Sequence, residues 1–164
     1  NPKPVIAEVS GVATAAGCQL VASCDLAYAS KSAKFATPGV NIGLFCSTPM
    51  VAVSRNISNK HTMEMLLSGE FVSSEKAEKI GLVNKSIDDS SLKKQTLEMA
   101  IKISKKSAMT LKIGKEAFYK QIDMTLSDAY DYASKVMVDN MLKLDAEEGI
   151  GAFIEKRKPK WQDK

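Results

Sequence analysis

Residues 4–29 read Pro4-Val5-Ile6-Ala7-Glu8-Val9-Ser10-Gly11, Val12-Ala13-Thr14-Ala15-Ala16-Gly17, Cys18-Gln19-Leu20-Val21-Ala22-Ser23 and Cys24-Asp25-Leu26-Ala27-Tyr28-Ala29. The first block is rich in β-branched residues and closes on Gly11, the pattern of a strand. The second is small and irregular and reads as a turn. Residues 18–23 predict a short apolar helix, and residues 25–29 a second strand. Strand, turn, helix and strand in that order imply a parallel crossover, which places the chain in the α/β class. Lys34-Phe35-Ala36 is a further extended piece, and Thr37 before Pro38 reads as a helix cap with proline at the first helical position.

The first 60 or so residues are poor in charge, with Glu8 and Asp25 their only carboxylates. The remainder is charge-rich and helical. One helix is expected from Thr48-Pro49 to about Asn56. A second is capped by Asn59 and stopped by Gly69. A third is capped by Ser73 or Ser74 and stopped by Gly81. Residues 82–86 predict a short strand. Three longer helices follow. Leu92, Thr96, Met99 and Ile103 share a face of the first, and Leu111, Phe118 and Ile122 a face of the second. Leu126, Tyr130, Ala133, Met137, Met141 and Leu144 form one stripe on the third, the pattern of a core or a subunit interface.

The chain has 164 residues and a mass of 17.8 kDa, the size of one domain or one domain with an appendage. With 45% apolar and 26% charged residues it is neither a disordered chain, a fibre nor a disulfide scaffold. Its three cysteines precede residue 47 without metal-type spacing, and read as reduced, buried thiols of an intracellular protein. The net charge of +4 comes from interspersed residues and argues against a nucleic-acid partner. The uncharged run 35–54 contains Pro38, Gly39, Asn41, Gly43 and Pro49, so no membrane span is expected. No segment reads as a signal or transit peptide, and the chain does not begin with Met.

Two segments are candidates for chemistry. Thr14-Ala15-Ala16-Gly17 stands at a helix start, where small side chains let a ligand approach backbone N–H groups that lack intrahelical partners. Such a turn suits a carbonyl oxygen that becomes negative during reaction, and it equally suits plain close packing. The loop 37–49 is Gly-rich between apolar runs, a common site lining and also a plain connection. Cys46 is a candidate thiol acid, set against an inert buried thiol. His61, the sole histidine, has no nucleophile motif around it and reads as a surface or hydrogen-bonded residue. Phe153-Ile154-Glu155-Lys156-Arg157-Lys158 is a charge run that reads as a solvated helix face, with Phe153 and Lys156 three apart on one side of it.

Several of these stretches, in order, resemble the crotonase (enoyl-CoA hydratase/isomerase) superfamily: Lys3-Pro4-Val5-Ile6-Ala7 to Gly11, Ala15-Ala16-Gly17-Cys18, Cys24-Asp25, Phe35-Ala36-Thr37-Pro38, Met65-Leu66-Leu67-Ser68-Gly69, Ala77-Glu78-Lys79-Ile80-Gly81-Leu82-Val83 and Glu148-Gly149 with Ala152-Phe153-Ile154-Glu155-Lys156-Arg157-Lys158. The resemblance implies the C-terminal part of a ββα spiral over residues 1–88 and a helical trimerisation region over 89–164. It implies a coenzyme A thioester as substrate or ligand, no metal or other cofactor, a homotrimer or a dimer of trimers, and a mitochondrial location. It assigns an oxyanion-hole N–H to Ala16, and substrate contacts to Pro38, Leu44, Phe153 and Lys156. The second oxyanion N–H falls in an earlier turn upstream of this chain, which lacks roughly the N-terminal third to two fifths of the family pattern, with the loss of core that this entails.

The two glutamates of the family's hydratases fall on Gln19 and Gly39. A glutamine orients water but has no titrating proton near neutral pH, and glycine has no side chain to do either. Asp25 matches a structural corner. The expected function is an acyl-CoA-binding protein of fatty-acid metabolism, hydratase-like but without either hydratase acid. Two alternatives stand beside it: another crotonase reaction (isomerisation, thioester hydrolysis or decarboxylation) through Cys46, Ser47 or a bound water, and a non-catalytic oligomeric subunit.

Overall fold

The computed structural model describes every residue from Asn1 to Lys164. Two compact units are present, Val5–Ala100 and Ile101–Lys164 with Asn1–Pro4.

The first unit is α/β, as the opening stretch predicts. β1 (Ile6–Val9) pairs in parallel with β3 (Leu26–Ser30), Ile6 opposite Leu26 and Val9 opposite Ala29. β6 (Lys85–Ile87) adds in parallel to β3. Between β1 and β3 lie β2 (Val12–Thr14) and α1 (Ala16–Ser23). Residues 12–17 are therefore not wholly a turn. β2 is too short to show a period, but it pairs in parallel with β4 (Lys34–Ala36), with Ala13 opposite the fully buried Phe35. β5 (Val72–Ser73) completes this second sheet antiparallel to β4.

Small side chains dominate the core. Ala13, Cys18, Val21, Ala22, Ala27, Ala29, Phe35, Val53 and Met65 belong to one buried cluster, which brings α1 close to both sheets. The Asp25 carboxylate accepts the Val5 N–H at 2.6 Å, fixing the corner between α1 and β3, so its role is structural. Asn56 donates to the carbonyls of Ala22 and Ala52 at 2.9 and 2.8 Å, tying α1 to α2 (Ser47–Ser54). The strand expected over 82–86 is displaced to β6. Leu82 and Val83 are both buried, which alternation along a strand would not allow, and Asn84 instead exchanges hydrogen bonds with Ala27. α3 (Asn59–Ser68) is capped by Ser58 rather than Asn59, and α4 (Ser74–Ile80) by Ser73. Gly69 and Gly81 end these helices at φ 64° and 86°.

α5 (Leu92–Ser104) crosses the division at Ala100. The second unit holds α6 (Ala108–Gln121), α7 (Leu126–Met141) and α8 (Leu144–Ile154). The stripe expected as one helix from Leu126 to Leu144 is thus split. Lys143 adopts an extended backbone and Leu144 opens α8. The C-terminal tail is clasped by the buried Asp145, whose carboxylate accepts the N–H groups of Gln162 at 2.7 Å and Asp163 at 3.1 Å. Those bonds, the Gln162 one foremost, and the Ser107 hydroxyl hold this carboxyl below the usual aspartate range. Trp161 donates its indole N–H to the Lys105 carbonyl at 2.8 Å.

Candidate active site

β2 ends beside β4 with Thr14 opposite Ala36, and the Ala15 N–H continues the ladder by donating to the Ala36 carbonyl at 3.0 Å. The chain must then reverse into α1 at once. It does so through Ala15 at φ 46°, ψ −115°, a region that side chains with a Cβ avoid and that costs on the order of 1–3 kcal/mol. The Ala15 carbonyl accepts from the Gln19 N–H at 3.0 Å and closes the first helical turn. A methyl group offers no cap, and the first turn carries no acid. The N–H groups of Ala16, Gly17 and Cys18 therefore have no partner within the helix, and the positive end of its dipole is not offset there. Close packing does not explain the small residue at 17: a Cβ there would come no nearer than 4.0 Å to Ala13. Ala16 is exposed, and Gln19, one turn on, is half-buried.

The second segment is a 3₁₀ turn, Pro38–Ile42, ended by Gly43 at φ 76°. Asn41 and Val40 meet Gly69 at the end of α3, which supports the turn from behind. The chain returns over Gly39: its carbonyl accepts the Leu44 N–H at 3.0 Å, and its N–H donates to the Cys46 sulfur at 3.3 Å. A Cβ on Gly39 would stand 2.9 Å from the Leu44 carbonyl oxygen and 3.0 Å from the Cys46 sulfur. Position 39 is thus closed to any side chain unless residues 44–46 shift. Leu44 is 63% exposed and Pro38 half-buried on the same turn.

Cys18 and Cys46 are buried, Cys24 half-buried, and none forms a disulfide. Burial, with the nearby Cys46 adding to it, pushes the Cys18 thiol up to about 11, so Cys18 stays protonated at neutral pH. His61 lies on the surface 3.4 Å from Glu64.

At the other end of the chain, Phe153 is 84% exposed at the end of α8. Lys156 is not on its helical face. It lies past the helix at φ 56°, where the Lys156 N–H bonds the Phe153 carbonyl and the Arg157 N–H bonds the Ala152 carbonyl. This is a Schellman ending with lysine where glycine is usual. Arg157 is engaged by Glu148 through two bonds of 2.6 and 2.9 Å, which together with the Lys160 N–H hold the Glu148 carboxyl at about 2. That bidentate pair sets the path of residues 157–160.

Sequence reasoning missed one functional candidate. Thr37 reads as a cap, but it caps nothing: its hydroxyl is buried without a hydrogen-bond partner. The strain at Ala15 left no mark in the sequence, because alanine gives no hint of a positive φ.

The family model for enoyl-CoA hydratase/isomerase matches residues 1–164. The mitochondrial enoyl-CoA hydratase domain-containing protein 3 of Xenopus laevis is 52% identical over 160 residues, covering 98% of this chain and 54% of that protein. The mitochondrial enoyl-CoA hydratase of Pongo abelii is 33% identical over 162 residues, covering 98% and 56%. Among solved structures, an enoyl-CoA hydratase of Mycobacterium smegmatis superposes with a TM-score of 0.96 at 50% identity, over 98% of this chain and 62% of that one. Human enoyl-CoA hydratase domain-containing protein 3 also gives 0.96, at 51% identity, over 98% and 64%. The chain spans about half the length of the curated relatives it matches.

Proposed function

Because this chain belongs to the enoyl-CoA hydratase/isomerase family, we propose that it binds acyl-CoA thioesters at the first turn of α1 and does not hydrate them efficiently. The Ala16 N–H receives the thioester carbonyl oxygen, and the dipole of α1 favours the charge that gathers there. Pro38 and Leu44 line the acyl side. Gln19 orients a water or the ligand but carries no proton to exchange. Phe153 and Lys156 meet the adenine and phosphates of coenzyme A, a role that the loop position of Lys156 permits without a shared helix face. The observation that carries this reading is the turn at Ala15–Ala16: a strained backbone that presents unpartnered N–H groups, with glutamine at 19 and a filled space at Gly39 in place of acids.

A mitochondrial location and a role in fatty-acid metabolism are proposed from the names of the relatives. Assembly as a trimer or a pair of trimers, with residues 89–164 as the oligomerisation region, is proposed from the exposed apolar side chains of α7. The alternative of another crotonase reaction finds less support. The Cys46 sulfur is buried and accepts a backbone N–H, with no base placed beside it. The test is mass spectrometry of ligand that co-purifies with the whole protein, followed by calorimetric titration with short and long acyl-CoAs. Recovery of a CoA ester and saturable binding are expected; no binding across the panel would remove the proposal and favour the non-catalytic subunit.

A further inference from the structure

We infer that the Thr37 hydroxyl is a ligand contact: a hydrogen-bond donor that joins the Ala16 N–H on the carbonyl oxygen of a bound acyl thioester. The inference rests on the acyl-CoA reading above. Thr37 is 1% exposed and its Oγ1 has no hydrogen-bond partner. Only Thr96 and Asn140, within α5 and α7, leave a buried side-chain oxygen in the same state. Burying a hydroxyl unpaired is costly, so its position asks for a reason.

The register gives one. Ala13 stands opposite Phe35 and Thr14 opposite Ala36, so Thr37 is level with Ala15 at the carboxyl ends of two parallel strands. Ala13 and Phe35 share a buried cluster with Cys18 and Val21, which marks their face of the sheet as the one α1 covers. Thr37 keeps a strand-like φ of −121°. Two residues beyond Phe35, its side chain therefore turns to that same face, toward the first turn of α1. The ordinary use of such a hydroxyl is to cap the turn that follows. Here it makes no cap bond: Pro38 has no N–H to offer, the Gly39 N–H is taken by the Cys46 sulfur, and the Thr37 hydroxyl does not engage the Val40 N–H either. What remains is a hydroxyl level with a helix N-terminus whose N–H groups also lack intrahelical partners. One acceptor oxygen satisfies both donors. A thioester carbonyl, which gains negative charge when its α-carbon loses a proton, is the acceptor that benefits most.

The experiment compares the parent protein with Thr37→Val, Thr37→Ala and Thr37→Ser, titrated calorimetrically with butyryl-CoA. The infrared carbonyl band of the bound thioester is read in each. Val and Ala, which lack the donor, are expected to bind about five- to tenfold more weakly and to return the carbonyl band toward its position in water. Ser is expected to bind within about twofold of the parent and keep the shifted band. The free Val variant should melt no lower than the parent, because it loses an unpaired buried hydroxyl. Val and Ala variants that bind like the parent would overturn the inference. So would weaker binding with an unmoved carbonyl band, since the hydroxyl would then not touch that oxygen. A parent protein that takes up no acyl-CoA would instead bring down the acyl-CoA reading, and this inference with it.

Discussion

The two units of the chain differ in how much apolar core they enclose. In Val5–Ala100 small residues close around Phe35, Tyr28 is buried in a second cluster, and Cys18, Ala29, Phe35, Ala36 and Val53 are wholly inaccessible. In Ile101–Lys164 neither α6 nor α7 has a buried residue, and Tyr130 is 70% exposed. The first unit encloses a core of its own beside the candidate site, and it also exposes apolar side chains, among them Leu20, Leu67 and Phe71 as well as Ile42, Leu44 and Phe45. The second has an amphipathic face that is still available. The charge content of the sequence rises toward the second unit, but aliphatic residues are frequent in both. What differs is side-chain size and period: alanines that let α1 lie against strands, against a helical stripe with nothing over it.

The largest expected effect falls on that contrast. Phe35→Ala should remove about 3–5 kcal/mol of stability, because the side chain is fully enclosed. Tyr130→Ala should change the stability of the unassociated chain by less than about 0.5 kcal/mol. Urea unfolding of both variants at low protein concentration measures this. Equal losses would mean that α7 is as well packed as the sheets.

Gly39→Glu comes next. A glutamate at this position forces atoms into space held by Leu44 and Cys46, at a cost of about 1–3 kcal/mol. Combined with Gln19→Glu, it should lower the melting temperature, and gain hydration only if residues 44–46 move aside. A double variant as stable as the parent would show that the turn is looser than its contacts indicate.

Lys156→Glu should weaken acyl-CoA binding by about 1 kcal/mol at low salt and less at high salt, since exposed phosphate contacts are screened. Phe153→Ala should weaken it with little dependence on salt, because it removes stacking area rather than charge. Calorimetry in two buffers separates the two contributions; unchanged affinity for both variants would return this segment to a solvated surface.

Acid should loosen the second unit first. Asp145 and Glu148 both have lowered pKa values, so their contribution is complete above the ordinary carboxylate range. It is lost as pH falls through the folded values, toward about 2 for Glu148. Trp161 is the sole tryptophan and sits in the clasped tail, so its fluorescence should change over that interval while the first unit keeps its far-ultraviolet signal. A change in Trp161 emission beginning near pH 6 would contradict the assignment to these carboxylates.

The strands, helices and glycine stops that repeat a pattern were legible in the sequence. β1 and β3 follow from β-branched content and the order of the elements, α4 from its Ser73 cap, and the ends of α3 and α4 from Gly69 and Gly81. The sequence puts the cap of α3 one residue late, on Asn59 instead of Ser58. The remainder depends on contacts that no local window contains. β2 is three residues long and is fixed by Phe35 across the sheet. The break before Leu144 comes where Lys143 adopts an extended backbone, inside a stripe with unbroken spacing. The residues at 16, 19 and 39 marked a candidate site in the sequence, but its local geometry was not legible there. That Ala15 is strained, that Gly39 is overlaid by Cys46, and that Thr37 is left without a partner all arise from pairings between residues 7 to 21 positions apart.

The central claim is that this chain presents an oxyanion-binding turn without the acids that hydration needs. The most direct measurement is turnover of crotonyl-CoA by the whole protein near neutral pH, at ligand concentrations that calorimetry has shown to saturate it. The expected result is bound ligand with hydration near background, roughly several powers of ten below what paired general acid–base catalysis delivers. Robust hydration by the unmodified protein would contradict it, because proton transfer would then proceed without a carboxylate at Gln19 or Gly39.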